Sequence, residues 1–441
     1  MKISKISLEN YKKISSLDLV VPKSNRVICF VGENGCNKTS LISLIYHLIR
    51  RNTRNQSPSD AQDIYFGSTS DVNFSQGVNT CISEIQITAD GNVYTSRDGI
   101  IRNTLKLSDD DKSLFQGKFQ FFNPKALTNF YRNDWLNALD LNSDDVVSRN
   151  VLLFRPSQRS EVPYFERDPK QAVDQQLAGS SNVIGRRKFP YRVESGIERV
   201  ENYFIEVLLD YLIDLQNQKP LEPIYGKFMK ILSSIDESFS EISISKFPNK
   251  GIRSTNLPSL KSLSSGQSDW LVTAISILVQ MVEIAPQLAK SVDDISGVVF
   301  IDEVDKNYHP KFQEEFMPWL LETFPNIQFV ITTHSPYLVR SLDENALVVK
   351  LPDGEVLNHD FSYWSIEEVS HTIFGKDLGF TKKVQEELKS FEELLLTNNE
   401  EDIKAEYKRL SSKSESLERK VNQLVYTLAS PDTLEILHET D

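Results

Sequence analysis

Residues Gly32-Glu33-Asn34-Gly35-Cys36-Asn37-Lys38-Thr39 combine two glycines, a lysine and a hydroxyl at a spacing suited to holding phosphate. They follow an apolar run, Val27 to Val31, and open a segment in which Leu41, Leu44, Ile45 and Leu48 recur at helical spacing. A strand, a glycine turn and a helix start aim successive backbone N–H groups and the helix dipole at one anion. Lys38 is expected to reach the terminal phosphates of a nucleotide, and the Thr39 hydroxyl to ligate Mg²⁺. Gly32, Asn34, Gly35, Cys36, Asn37 and Ser40 complete the expected cradle. Asn37 stands where the pattern asks for glycine. Asparagine is the side chain that best tolerates left-handed backbone, so nucleotide binding is expected, with weaker binding and slower hydrolysis than glycine would give.

Three further fragments follow in fixed order. Leu263-Ser264-Ser265-Gly266-Gln267 precedes a stripe of Trp270, Leu271, Ala274, Ile275, Leu278, Met281 and Val282. Ser264 and Gln267 have the spacing of a capping box, and a serine-rich, glycine-containing helix start leaves hydroxyls and free N–H groups for a γ-phosphate. Val298 to Ile301 is a continuous apolar run, as in a strand buried on both faces, and it ends in Asp302-Glu303. Carboxylates at the end of such a strand sit where open α/β sheets bind ligands. Asp302 would hold the metal and Glu303 would polarise the attacking water. Ile327 to Ile331, a similar run, ends in Thr332-Thr333-His334-Ser335-Pro336, and His334 is expected to contact the γ-phosphate and orient Glu303. Gln158, after the apolar run Val151 to Phe154, is a candidate metal-sensing glutamine, with Gln120 as the alternative.

The four fragments in this order resemble the ABC-type AAA ATPases, a group that includes SMC-like, recombination-mediator, OLD-type and bacterial defence ATPases. Leu263 to Gln267 is close to the LSGGQ signature of ABC-type enzymes, and the resemblance spans residues 1–50 and about 258 to 375. It implies ATP and Mg²⁺ as cofactors. It also implies that Ser264, Ser265, Gly266 and Gln267 of one protomer close over the nucleotide of another, giving two composite sites in a head-to-tail dimer or higher homo-oligomer. Asp305 would belong to the loop communicating between the sites. The expected fold is α/β: an ABC-type P-loop NTPase with a mixed or parallel central sheet, an N-terminal antiparallel β region, a helical insertion and a C-terminal helical hairpin. No long heptad array or CxxC pair lies between Thr39 and Leu263, and nothing after His334 has the acidic, glycine-rich pattern of a Toprim nuclease. A compact ATPase of this kind most resembles the ATPase subunit of Septu-type anti-phage systems, which act with a separate HNH-type nuclease.

The elements needed to position these residues are legible in outline. Ile3, Ile6 and Leu8, then Leu17, Leu19 and Val21, predict two strands joined at Asn10 to Lys13, with Tyr11 or Lys12 near the nucleotide. Cys81 to Tyr94 and Lys118 to Phe122 predict further antiparallel strands. Ile197 to Ile213, with Phe228 to Leu232, predicts a helical subdomain before the signature, and Ala346 to Val356 a hairpin turning at Pro352-Asp353-Gly354. Two apolar stripes beyond Gly379, broken at Asn398 to Glu401, predict a helical hairpin, either packed on the ATPase body or serving as a docking surface. The expected division is an N-terminal ATPase lobe over 1–165, a flexible segment and helical insertion over 166–257, a C-terminal ATPase lobe over 258–378 and the hairpin over 379–441.

Composition narrows the function. The chain has 441 residues, 39% of them hydrophobic, and a formal charge of −13. That charge opposes a general nucleic-acid coat, so DNA is expected to be met through the complex. Local basic clusters remain at Arg186 to Arg192 and at Arg50, Arg51 and Arg54. No signal-peptide pattern or run of eighteen apolar residues is evident, so a soluble cytoplasmic protein with no membrane partner is expected. Cys29, Cys36 and Cys81 have no metal-ligand spacing, which suits reduced thiols. The favoured reading is an ATP-hydrolysing subunit that controls a partner nuclease in anti-phage defence. The alternatives are a recombination or DNA-repair ATPase acting directly on DNA, and a transporter ATPase subunit.

Overall fold

The computed structural model describes residues 1–50, 80–101, 109, 130–133, 143–157, 197–217, 223–240, 242–245, 251–254, 260–306, 308–375, 382–397 and 399–428. Gln158, Gln120, Lys118 to Phe122 and the Arg186 to Arg192 cluster lie outside the described residues. So do Arg51 and Arg54, and the Arg50 side chain. The strands are β1 (Lys2–Tyr11), β2 (Ile14–Val20), β3 (Val27–Val31), β4 (Thr80–Ala89), β5 (Asn92–Ile101), β6 (Phe130–Asn133), β7 (Val151–Arg155), β8 (Ile242–Ser245), β9 (Gly251–Ser254), β10 (Gly297–Ile301), β11 (Ile327–Thr332), β12 (Ala346–Lys350) and β13 (Glu355–Leu357). Chain contacts separate two compact units, Met1–Val369 and Ser370–Asp441.

Two large sheets and the two-stranded antiparallel pair β8-β9 build the first unit. One large sheet is antiparallel, in the order β2-β1-β4-β5-β6; the other runs β13-β12-β3-β11-β10-β7, parallel except for the edge strand β13. β3, β7, β10 and β11 are buried along their whole length, which explains their unbroken apolar sequences. β2 instead buries Ile14, Leu17 and Leu19 and turns the intervening residues outward. Gly297 is required where β7 meets β10: a Cβ there would stand 2.2 Å from the Val151 carbonyl oxygen. Between the sheets lies the helix Lys38–Arg50, whose Leu41, Ile42, Leu44, Ile45, Leu48 and Ile49 join residues of both sheets in one core. Burying each of these side chains contributes about 2 kcal/mol. Tyr46 on the same helix rests against Phe154 at 5.0 Å and Phe300 at 5.6 Å between ring centres, fixing the helix over β7 and β10.

The long helix Ser265–Leu288 packs on β7 and is flanked by the helices Ile197–Gln216 and Pro223–Ile235. Those two helices hold each other through Phe204 and Phe228, 4.7 Å apart, and the stacked rings of Tyr211 and Tyr225. Ser265–Leu288 is the one described helix with the length and hydropathy of a membrane span, a run that residue-by-residue reading missed because serines and a glutamine punctuate it. It is mostly buried inside the body, as a core helix. All three cysteines are buried and outside any disulfide, and burial pushes the Cys29 thiol well above its usual range.

In the second unit the predicted helical hairpin is instead three helices, Lys382–Leu395, Glu400–Ser411 and Glu415–Leu428. The chain breaks at Ser412 to Ser414, where Ser414 Oγ accepts the Leu417 N–H at 3.2 Å and caps the last helix. Leu388, Phe391, Leu395, Ile403, Leu410, Leu417, Val421 and Leu424 bury one another in a core of their own.

Candidate nucleotide site

β3, β10 and β11 end on the same edge of the parallel sheet, so the phosphate loop, Asp302-Glu303 and Thr333-His334 are brought together by topology. Gly32 leaves β3 at φ 137°, and a Cβ there would press within 2.6 Å of the Leu351 carbonyl oxygen. Asn37 adopts φ 71°, the left-handed backbone that its place in the pattern demands. Its amide Nδ2 is buried without a hydrogen-bond partner. An orphaned donor in a glycine turn at a helix start fits an anionic ligand.

Lys38 is buried, and its Nζ donates to the carbonyl oxygens of Gly32 at 2.8 Å and Glu33 at 2.9 Å, with Cys36 Sγ at 3.5 Å. Burial pulls its pKa below the usual lysine range, and Cys36, Asp302 and Asp305 oppose that fall. Thr39 Oγ1 donates to Asp302 Oδ1 at 3.1 Å, and Thr332 Oγ1 donates to the same oxygen at 2.6 Å. A hydroxyl and a carboxylate this close suit Mg²⁺, which takes one or two protein ligands and fills its octahedron with phosphate oxygens and water. Lys12, at the turn between β1 and β2, donates to Ser40 Oγ at 2.7 Å, which puts the predicted Tyr11-Lys12 turn against the loop helix.

Glu303 also has left-handed backbone, φ 46°, held because its N–H donates to Thr332 Oγ1 at 2.7 Å and Val304 N–H donates to Thr332 O at 2.9 Å. Non-glycine residues in this region cost of order 1–3 kcal/mol and cluster at functional sites. The Glu303 side chain is half-exposed, 3.7 Å from Lys306 Nζ. Asp305 Oδ1 accepts from Thr333 Oγ1 at 2.6 Å and from His334 N at 3.3 Å, so within its own chain it fixes the strand end that carries His334.

The signature segment forms a helix start with the expected capping box: Gln267 N–H donates to Ser264 Oγ at 3.3 Å, and Ser264 N–H donates to Gln267 Oε1 at 3.1 Å. Ser264 and Ser265 are exposed, and Gly266 is half-buried. Sequence reading missed a buried polar group just behind this tip. Arg155, at the end of β7, makes an ion pair with Asp269, and Tyr308 donates to Asp269 Oδ2 at 2.9 Å. The available signal was an aspartate set inside an apolar helical stripe.

The Asn37 backbone gives a first expected result. Asn37→Ala should lower stability by about 1 kcal/mol, because alanine tolerates positive φ poorly, whereas Asn37→Gly should match or exceed the parent in melting temperature while losing the donor that Nδ2 offers a ligand. Equal melting and nucleotide titration for all three would show that this backbone imposes no cost.

The family model described as "AAA domain, putative AbiEii toxin, Type IV TA system" matches residues 27–340. The retron Vc95 probable ATPase of Vibrio cholerae serotype O1 biovar El Tor is 25% identical over 79% of this chain and 73% of its own length. The retron Ec83 probable ATPase of Escherichia coli is 23% identical over 84% and 76%. The Septu protein PtuA of Bacillus thuringiensis is 29% identical over 27% of this chain and 32% of its own. Among solved structures, the SMC head domain from Thermotoga maritima is 16% identical with a TM-score of 0.39, over 81% of this chain and 99% of that one. The recombination mediator protein RecF with ATP is 13% identical with a TM-score of 0.36, over 81% and 99%. A family model spanning residues 27–340, with its phosphate loop, Asp302-Glu303 pair and His334 on one sheet edge, makes this chain an ABC-type ATPase of the AAA_21 family.

Proposed function

We propose that this ATPase is the nucleotide-driven regulatory subunit of a cytoplasmic anti-phage defence complex, in which composite ATP sites between head-to-tail protomers control a separate nuclease. One observation carries the composite site. β3 and β7 are separated in the sheet by β11 and β10, so the phosphate loop and the strand under the serine-tipped helix stand about 14 Å apart. That helix start is exposed at Ser264 and Ser265, so the Ser265 hydroxyl and the Ser265 and Gly266 N–H groups, which lie outside the capping box, are the groups it offers a second protomer.

In such a pair, the loop N–H groups receive the phosphates and Lys38 leaves the Gly32 and Glu33 carbonyls for the terminal oxygens. Thr39 and Asp302 would hold Mg²⁺, which would supply positive charge beside the phosphates; Gln158, beyond the described residues, is the proposed sensing glutamine. Glu303 orients a water and takes its proton as the water oxygen bonds the γ-phosphorus and the bond to the β-phosphate oxygen breaks, releasing ADP and phosphate. His334, steadied by Asp305, faces the γ-phosphate. Ser264, Ser265, Gly266 and Gln267 of the neighbour close the site.

The relatives named as retron and Septu proteins support the defence role, and the resemblance to Septu ATPases supports an HNH-type nuclease partner. DNA is reached through that partner, in keeping with a charge of −13. Tagged protein purified from its native operon is expected to bring down a second, nuclease-active polypeptide, and Lys38→Ala is expected to abolish protection in a phage plating assay. Purification as a lone ATPase whose turnover rises with DNA would favour the DNA-repair reading instead.

A further inference from the structure

The ion pair of Arg155 and Asp269 has only 2% and 4% of its side chains exposed. Burying two charges is scarcely repaid by their attraction, so stability alone does not account for the pair, and its position is informative. Arg155 lies beside Ile301 in the sheet, and its carbonyl oxygen accepts the Asp302 N–H at 2.9 Å. Asp269 lies five residues beyond Ser264, about 7.5 Å along the serine-tipped helix. Tyr308 donates its hydroxyl to Asp269 Oδ2 at 2.9 Å and its N–H to the Asp305 carbonyl oxygen at 3.3 Å. Asp305 in turn holds Thr333 and the His334 backbone. Asp269, on the serine-tipped helix, is thus joined through Arg155 to the Asp302 backbone and through Tyr308 to the Asp305 segment that holds His334.

We infer that Arg155, Asp269 and Tyr308 are positioning residues that couple the two nucleotide sites of a pair. Each chain offers its helix tip to the neighbour's nucleotide and its Asp302, Glu303 and His334 to its own. Engagement of the tip moves Asp269, and Asp269 re-aims Asp302-Glu303 through Arg155 and Thr333-His334 through Tyr308 and Asp305. Such coupling is reciprocal: ATP in either site strengthens closure of the other. The inference rests on the composite-site reading above.

Asp269→Asn strands the Arg155 charge and risks unfolding, so the test uses Tyr308→Phe, which removes one hydroxyl and keeps the ring against Phe316, 5.0 Å away. Phosphate release is measured against ATP concentration, alongside melting and ATP-induced pairing by sedimentation. Wild type is expected to pair and to show a Hill coefficient approaching about 2, whereas Tyr308→Phe, which cuts the branch to His334 and leaves that through Arg155, should pair, melt normally, show a Hill coefficient lowered toward about 1 and lose about fivefold in maximal rate. A wild type that pairs without cooperativity overturns the coupling, as does a variant with unchanged Hill coefficient and rate, or one that loses pairing together with its melting transition. A wild type that never pairs with ATP overturns the composite-site reading first, and the coupling with it.

Discussion

Replacing Glu303 by glutamine is expected to slow phosphate release by about a thousandfold while leaving ATP affinity close to that of the parent. The substitution preserves size and hydrogen-bonding reach but removes the ability to accept a proton. The backbone that aims the side chain does not depend on the carboxylate: φ 46° is held by the Glu303 N–H on Thr332 Oγ1 and the Val304 N–H on Thr332 O. Nor does the side chain anchor the fold, since the 3.7 Å contact with Lys306 is exposed and worth at most about 1 kcal/mol. Lost turnover with unchanged melting would therefore report chemistry. ATP that binds and is not cleaved should also hold the pair closed, so the variant should sediment as a dimer in ATP where the parent cycles. Equal rates of phosphate release in parent and variant would remove Glu303 from the mechanism.

The parts of this site that sequence made legible are those whose physics is local. The strand, turn and helix around Gly32 to Ile49 need only an apolar run, residues able to take positive φ and a helical stripe, and Asn37 at φ 71° sits as its residue type foretold. The capping box of Ser264 and Gln267 spans three positions and was equally visible. The Arg155, Asp269 and Tyr308 group was not, because its members are 114 and 39 residues apart and meet only when β7, the serine-tipped helix and the segment after β10 are packed. In the C-terminal unit the apolar stripe itself concealed the break. Leu410 and Leu417 are two helical turns apart, so the phase carries across Ser412 to Ser414 as though one helix continued. β6 pairs with β5 through the register of Ile100 and Tyr131, information that four residues of sequence do not hold.

Mixing two inactive variants is expected to restore hydrolysis if the serine tip and the phosphate loop act across protomers. Lys38→Ala removes the ammonium proposed to face the terminal phosphates, so a homodimer of it has two broken loops and two sound tips. Ser265→Arg puts a bulky cation on the exposed helix start, so its homodimer has sound loops and broken tips; ATP should still bind the loop, because the tip lies across β11 and β10 from it. In a mixed pair one site receives both lesions and the other receives neither. Random pairing makes half the dimers mixed, each with one of two sites intact, so at most about a quarter of parental turnover should return on mixing, and less where the dead site no longer assists the intact one. A site built within one chain forbids this result, because every protomer then carries a lesion in its own site and mixing adds nothing. Phosphate release measured on equimolar mixtures distinguishes the two arrangements without knowledge of the nuclease or the trigger, and a mixture as inactive as its components would end the composite-site reading.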